Sequence, residues 1–222
     1  MRARVRKVIR SFASAMLATA VALFLPAQTF LWWQAWVFMV LFFLPMALIT
    51  VYLFQLSQDL LRRRLDVKEK RPGQGVIAKM FYIAVCSVFF ISGLDRYYGW
   101  SLVPFRLVVI SDAFFLLAYF FLFLVFKENK YLAHTVTVEE GQETVATGPY
   151  ALVRHPMYLA EFLMFIFAAP ALGSYWALLA DIPLLGALAA RIITEEEVLL
   201  KELKGYAQYA QKTRFRLIPG VW

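Results

Sequence analysis

Two polar islands interrupt the second half of an otherwise apolar chain: "GPYALVRHPMY", residues 148–158, and "RIITEEEVLLKELKGY", residues 191–206. In the first, Gly148 and Pro149 predict a turn, and Arg154, His155 and Pro156 stand together at the mouth of the next apolar segment. A proline at the first position of a helix costs nothing, because that N–H has no intrahelical partner in any case. A helix begun there directs the N–H groups of Met157 and Tyr158 outward, where an anionic ligand group is favoured. The plainer reading makes Arg154 a snorkelling cation at lipid phosphate and His155 a simple helix cap.

The second island has helical spacing. At about 100° per residue, Arg191 at 0° and Glu195 near 40° share a face with Val198 near 340° and Leu199 near 80°. An ion pair is thereby set on the apolar side of a helix. Glu196, near 140° on the same wheel, is also expected to point inward, whereas Glu197, near 240°, shares a solvated face with Lys201 and Lys204. Breaking a buried pair costs roughly 3–5 kcal/mol, so such residues suit either a ligand site or a structural clasp between tail and core. Asp112, Glu161 and Asp181 are further acids within apolar segments and functional candidates by that fact alone. Each also has a structural reading, at an interface or a kink.

The elements that must position these islands are membrane helices. Of 222 residues, 62% are hydrophobic, 17% aromatic and only 17% charged, outside the range of soluble domains. Crossing a hydrocarbon core of about 30 Å takes about 20 apolar residues. Such runs fall at about 11–30, 33–56, 76–94 and 107–126. A fifth apolar stretch, 157–193, is too long for one helix and holds Pro170, Gly173 and Ser174 at its middle, which predicts a helical hairpin with a short first arm. The expected fold is all-α: a polytopic bundle of about six crossings, the last two a hairpin, followed by a cytoplasmic C-terminal helix. Residues 1–126 would form four N-terminal spans and residues 127–222 the functional core.

A formal net charge of +8 could suggest nucleic acid. Placement explains it better. If the N-terminus, the 57–79 loop, the 127–155 loop and the 191–222 tail share one side, that side holds all of the 23 Lys and Arg residues except Arg96 and Arg106. The positive-inside rule makes it cytoplasmic, termini and candidate site included. The basic start followed by an apolar run also fits a signal peptide, but no small-residue cleavage site follows, and Trp32, Trp33 and Trp36 read as an interfacial anchor for the next span. The "RRRLDVKEKRPGQG" stretch is expected to be a cytoplasmic loop near anionic headgroups.

Two histidines and the single Cys86 are too few and too scattered for a usual metal site, and no Gly-rich nucleotide fingerprint is present. Taken in order, "GQETVATGPYALVRHPMY", a hydrophobic hairpin, "RIITEEEVLL", "GYAQY" and "RFRLIPGVW" resemble the isoprenylcysteine carboxyl methyltransferase family of integral membrane enzymes, over roughly residues 125–222. The resemblance implies that S-adenosylmethionine is bound without a Rossmann fold. It implies that Gln142, Glu143, Thr144, Val145 and Tyr150 line the cofactor, that His155, Pro156, Met157 and Tyr158 cradle it, that Glu195 holds its amino group, and that Arg191 orients the acceptor. Where the acceptor is an amine or thiol, His155 or Glu196 is the nearest candidate base. The acceptor class implied is a lipophilic or lipidated molecule drawn from the membrane, such as an isoprenylcysteine carboxylate, with no nucleic-acid partner. Sterol reductases using NADPH are similar in C-terminal architecture, and a non-catalytic lipid-binding protein is the third reading.

Overall fold

The computed structural model describes residues 2–56, 74–129, 131, 138 and 141–222. Among these there are seven α-helices and no strand: α1 (Arg2–Ala27), α2 (Trp33–Leu56), α3 (Gln74–Tyr98), α4 (Phe105–Glu128), α5 (Pro156–Ala171), α6 (Asp181–Glu202) and α7 (Tyr206–Lys212). Single 3-10 turns stand at Gly148–Ala151 and Trp176–Ala180. The basic stretch at 57–73, inside the loop expected to be cytoplasmic, lies outside the described residues.

Uniformly apolar sequence gives helices here because hydrocarbon offers backbone amides no partner, so each segment must satisfy its own. Among the described residues, five spans are long and apolar enough to cross a membrane: Val8–Ala27, Trp33–Gln55, Gly75–Tyr98, Phe105–Glu128 and Trp176–Glu202. Helix α5 has 16 residues, about 24 Å at 1.5 Å per residue, less than the roughly 30 Å core. The expected six crossings are therefore five full spans and one short arm. That arm ends where Gly173 takes a left-handed φ of 80°, a conformation cheap only for glycine, and where Ser174 N–H closes the turn on the Ala169 carbonyl.

The turn at the far end of this hairpin is pinned. The buried Asp95 carboxylate accepts hydrogen bonds from the Ser101 N–H at 2.7 Å, the Ser101 hydroxyl and the Ser174 hydroxyl. Nearby, Arg96 donates to the Leu31 carbonyl, and ring contacts join Trp33 to Phe105 and Trp100 to Trp176. These contacts gather the α1–α2, α3–α4 and α5–α6 turns at one end, rimmed by exposed Trp36, Tyr97, Tyr98 and Trp176, the aromatic girdle of a membrane interface. The start of α5 and the last turns of α4 and α6 meet at the other end.

Between the ends, a core of Leu23, Trp32, Phe38, Val88, Phe115, Leu172 and Leu184 is interleaved with Ala168, Ala169, Ala177 and Ala180. The alanines let helix backbones approach closely where bilayer and core are equally apolar and close packing supplies the attraction. The second arm runs on further than the hairpin's expected end near 193: α6 continues without a break to Glu202, because no glycine or proline intervenes until Gly205. The carboxylates of the second island thus ride on a membrane helix, and the separate C-terminal helix is only the short α7.

Candidate active site

Pro156 opens α5 with His155 at the N-cap, and the first intrahelical bond runs from the Leu159 N–H to the His155 carbonyl. The Tyr158 N–H therefore stands ahead of the helical ladder. His155 makes no side-chain cap. Its ring instead stacks on Tyr158, centroids 5.8 Å apart, and its Nε2 lies 3.3 Å from Glu196 Oε1.

Glu196 is the hub of a buried cluster. It is only 5% exposed. Arg154 donates from Nε to Oε1 at 2.5 Å and from Nη2 to Oε2 at 3.3 Å; Arg216 donates from Nε to Oε2 at 2.7 Å; the Tyr206 hydroxyl lies 3.3 Å from Oε1. Burial, and then the Glu196 and Glu195 carboxylates, push the Tyr206 phenol well above its ordinary range, so it stays protonated and donates. The remaining Arg154 nitrogen, Nη1, reaches the carbonyls of Ala210, Thr213 and Arg214 at 3.1–3.3 Å. Arg154 therefore does not snorkel to lipid; it ties the first island to α6 and to the tail. Backbone bonds complete the tie, from the Arg154 N–H to the Phe215 carbonyl and from the His155 N–H to the Arg216 carbonyl, both 2.9 Å.

Beside the hub lies a second chain of polar contacts. Arg191 Nε donates to the Tyr158 hydroxyl at 3.0 Å, and that hydroxyl donates to Glu195 Oε2 at 2.6 Å. The pair expected on one helical face is thus bridged by a phenol from the cradle helix. Arg191 is buried and Glu195 half-buried. Glu197 is exposed, as the helical wheel predicted. Leu188, Ile192 and Leu217 pack around Tyr158.

The loop preceding the cradle is anchored at both ends. Thr147 donates to Glu128, Asn129 donates to the Tyr150 hydroxyl at 2.9 Å, and the Tyr209 hydroxyl donates to the Tyr150 carbonyl at 2.7 Å. Burial pushes the Tyr209 phenol up, which keeps it a donor. Thr144 Oγ1 donates to the Lys204 carbonyl at 2.8 Å. Val145 and Met157 join Tyr150, Leu199, Leu203, Tyr206 and Tyr209 in one apolar cluster.

Of the residues singled out in sequence, the structure gathers Val145, Tyr150, His155, Pro156, Met157, Tyr158, Arg191, Glu195 and Glu196 at one end of the hairpin, with Thr144 docked on the α6–α7 turn. Gln142 is half-buried and Glu143 exposed in the same loop. Of the other acids, Asp181 is buried at the start of α6, at the opposite end, and among the described residues neither of its carboxylate oxygens finds a hydrogen-bond partner. Sequence reasoning passed over Tyr206, Tyr209 and Arg216, and gave Arg154 the wrong surroundings. Their signal was the fixed order of "GYAQY" and "RFRLIPGVW" after the acidic run, since neither has an apolar period of its own.

No curated protein matches the chain. Residues 108–201, from the first turn of α4 to the last turn of α6, match the isoprenylcysteine carboxyl methyltransferase (ICMT) family.

Proposed function

We propose that the protein transfers a methyl group from S-adenosylmethionine to a lipophilic acceptor, a carboxylate of the isoprenylcysteine kind, at the cytoplasmic membrane interface. The observation that carries the reading is the Arg191–Tyr158–Glu195 relay at the N-terminus of α5. Among the described residues, Glu195 receives a hydrogen bond only at Oε2, so Oε1 remains to pair with an ammonium. At the start of α5, the Tyr158 N–H precedes the first intrahelical bond and suits a carboxylate. An amino acid carries both groups close together, and the residues present fit the amino-acid end of the cofactor. Tyr150 and Val145 offer an apolar wall for the rest.

Bound S-adenosylmethionine supplies an already activated methyl on a sulfonium. This chain's residues then need to hold, align and dehydrate, which are the larger contributions for a transfer of this kind. A carboxylate acceptor is ionised at neutral pH and needs no base. Glu196 accordingly has a positioning role: its oxygens are engaged by Arg154, His155, Tyr206 and Arg216, and it fixes the cradle against α6. The surplus of basic residues on the side of the site supports a cytoplasmic location.

The experiment supplies methyl-labelled S-adenosylmethionine and S-prenylated N-acetylcysteine to purified protein in lipid nanodiscs. Label in a base-labile product, released as methanol, is the expected result and identifies a methyl ester. Base-stable label would move the acceptor to an amine or thiol, and no transfer to any of the three classes would sink the reading.

A further inference from the structure

We infer that Arg216, in the C-terminal segment, is the residue that receives the acceptor's anionic group and so selects carboxylate acceptors; the inference rests on the methyl-transfer reading above. The cluster around Glu196 is unbalanced in charge. A single carboxylate, Glu196, faces two guanidinium groups, Arg154 and Arg216. One positive charge is left over. Arg154 cannot present it: its side chain is 10% exposed and its Nε, Nη1 and Nη2 all donate to protein oxygens. Arg216 is 38% exposed. Its Nε is bound to Glu196, while among the described residues no hydrogen bond is made by its Nη1 or Nη2. The open end of the guanidinium carries the surplus charge.

That open end is also held in place. The Arg216 carbonyl accepts the His155 N–H, its own N–H donates to the Trp222 carbonyl, and its Cζ lies 5.4 Å from the centre of the Trp222 ring. The following residue, Leu217, joins the apolar cluster of Tyr158 and Ile192, and Glu196, which Arg216 holds, also contacts His155, whose ring stacks on Tyr158 of the relay. A guanidinium fixed through Nε, with the N–H groups of Nη1 and Nη2 still to donate, matches the two oxygens of a carboxylate. Arg191, the residue to which the family resemblance assigned the acceptor, is 8% exposed and donates to Tyr158. It positions the tyrosine; Arg216 is the cation able to meet an incoming anion.

The test measures binding of S-prenylated N-acetylcysteine and of its uncharged carboxamide to wild type, Arg216→Gln and Arg216→Lys in phospholipid-free maltoside, with S-adenosylmethionine affinity measured in parallel. Wild type should prefer the carboxylate, and Arg216→Gln should lose about 10- to 100-fold of its affinity, the value of a charge-assisted hydrogen-bonded pair. Carboxamide and S-adenosylmethionine affinities should stay within about twofold. Arg216→Lys keeps the ion pair to Glu196 and the docked tail but has no fork, so it should show an intermediate loss. A wild type without preference for carboxylate over carboxamide would overturn the inference. An equal loss of S-adenosylmethionine and acceptor affinity in both variants would overturn it in favour of a purely structural tail. Absence of S-adenosylmethionine binding by wild type would count against the methyl-transfer reading, while the carboxylate preference and its loss in Arg216→Gln would still be read separately.

Discussion

Three consecutive carboxylates illustrate how finely one helix can divide its labour. Glu195 meets a tyrosine of the cradle, Glu196 is buried under two arginines, and Glu197 is exposed. The rotation of about 100° per residue accounts for all three faces, and this much was legible in the sequence. The partners were not. Arg154 is 42 residues from Glu196 in the chain, and a helical wheel reports which face a side chain takes, never what approaches it. The consequence is testable by thermal unfolding in detergent. Glu196→Gln leaves two buried or half-buried guanidinium groups without their counter-charge, a loss of about 3–5 kcal/mol by the usual behaviour of broken buried pairs, so its melting temperature should fall by several degrees. Glu197→Gln should melt with wild type. Equal melting of the two variants would mean that the cluster does not hold the fold.

Helices in this chain are set by where the apolar runs stop. The first four spans were readable because hydrocarbon demands both length and self-satisfied backbone, and the structure moves their ends by only a few residues. The hairpin turn was readable from Pro170, Gly173 and Ser174. The extent of α6 was not, because the change from apolar to charged residues near Arg191 looks like an end although the backbone has no reason to stop there. Close packing between elements was equally hidden. Gly93 on α3 sits where an added Cβ would lie 2.4 Å from Pro26 Cγ and 2.5 Å from the Leu23 carbonyl of α1, so these helices touch through backbone. Gly93→Ala should therefore lower stability by about 1–3 kcal/mol, the usual cost of overpacking. Gly186→Ala on α6 has nothing within 4 Å and should be neutral or slightly stabilising. The same thermal measurement reads both, and a neutral Gly93→Ala would contradict the tight α1–α3 crossing.

For the molecule as a whole, composition spoke first and most clearly: the apolar content required a membrane, and the distribution of lysine and arginine pointed to an orientation. The structure separates the two ends in chemistry as well, with the aromatic girdle and the Asp95 latch at one end and the carboxylate–arginine clusters at the other. The orientation can be read with two cysteines in a Cys86→Ser background. Leu102→Cys, at the girdle end, should react with an impermeant maleimide on intact cells, and Lys212→Cys, beside the site, only after lysis. The opposite pattern would invert the proposed topology and place the site outside the cell. The central claim, that the α5 cradle and Glu195 hold S-adenosylmethionine, is tested most directly by calorimetric titration of the detergent-purified protein with S-adenosylmethionine and, separately, with NADPH, using Glu195→Ala as the control. Saturable S-adenosylmethionine binding that is lost in Glu195→Ala, with no NADPH binding, is the predicted result; NADPH binding, or S-adenosylmethionine binding indifferent to Glu195, would contradict it.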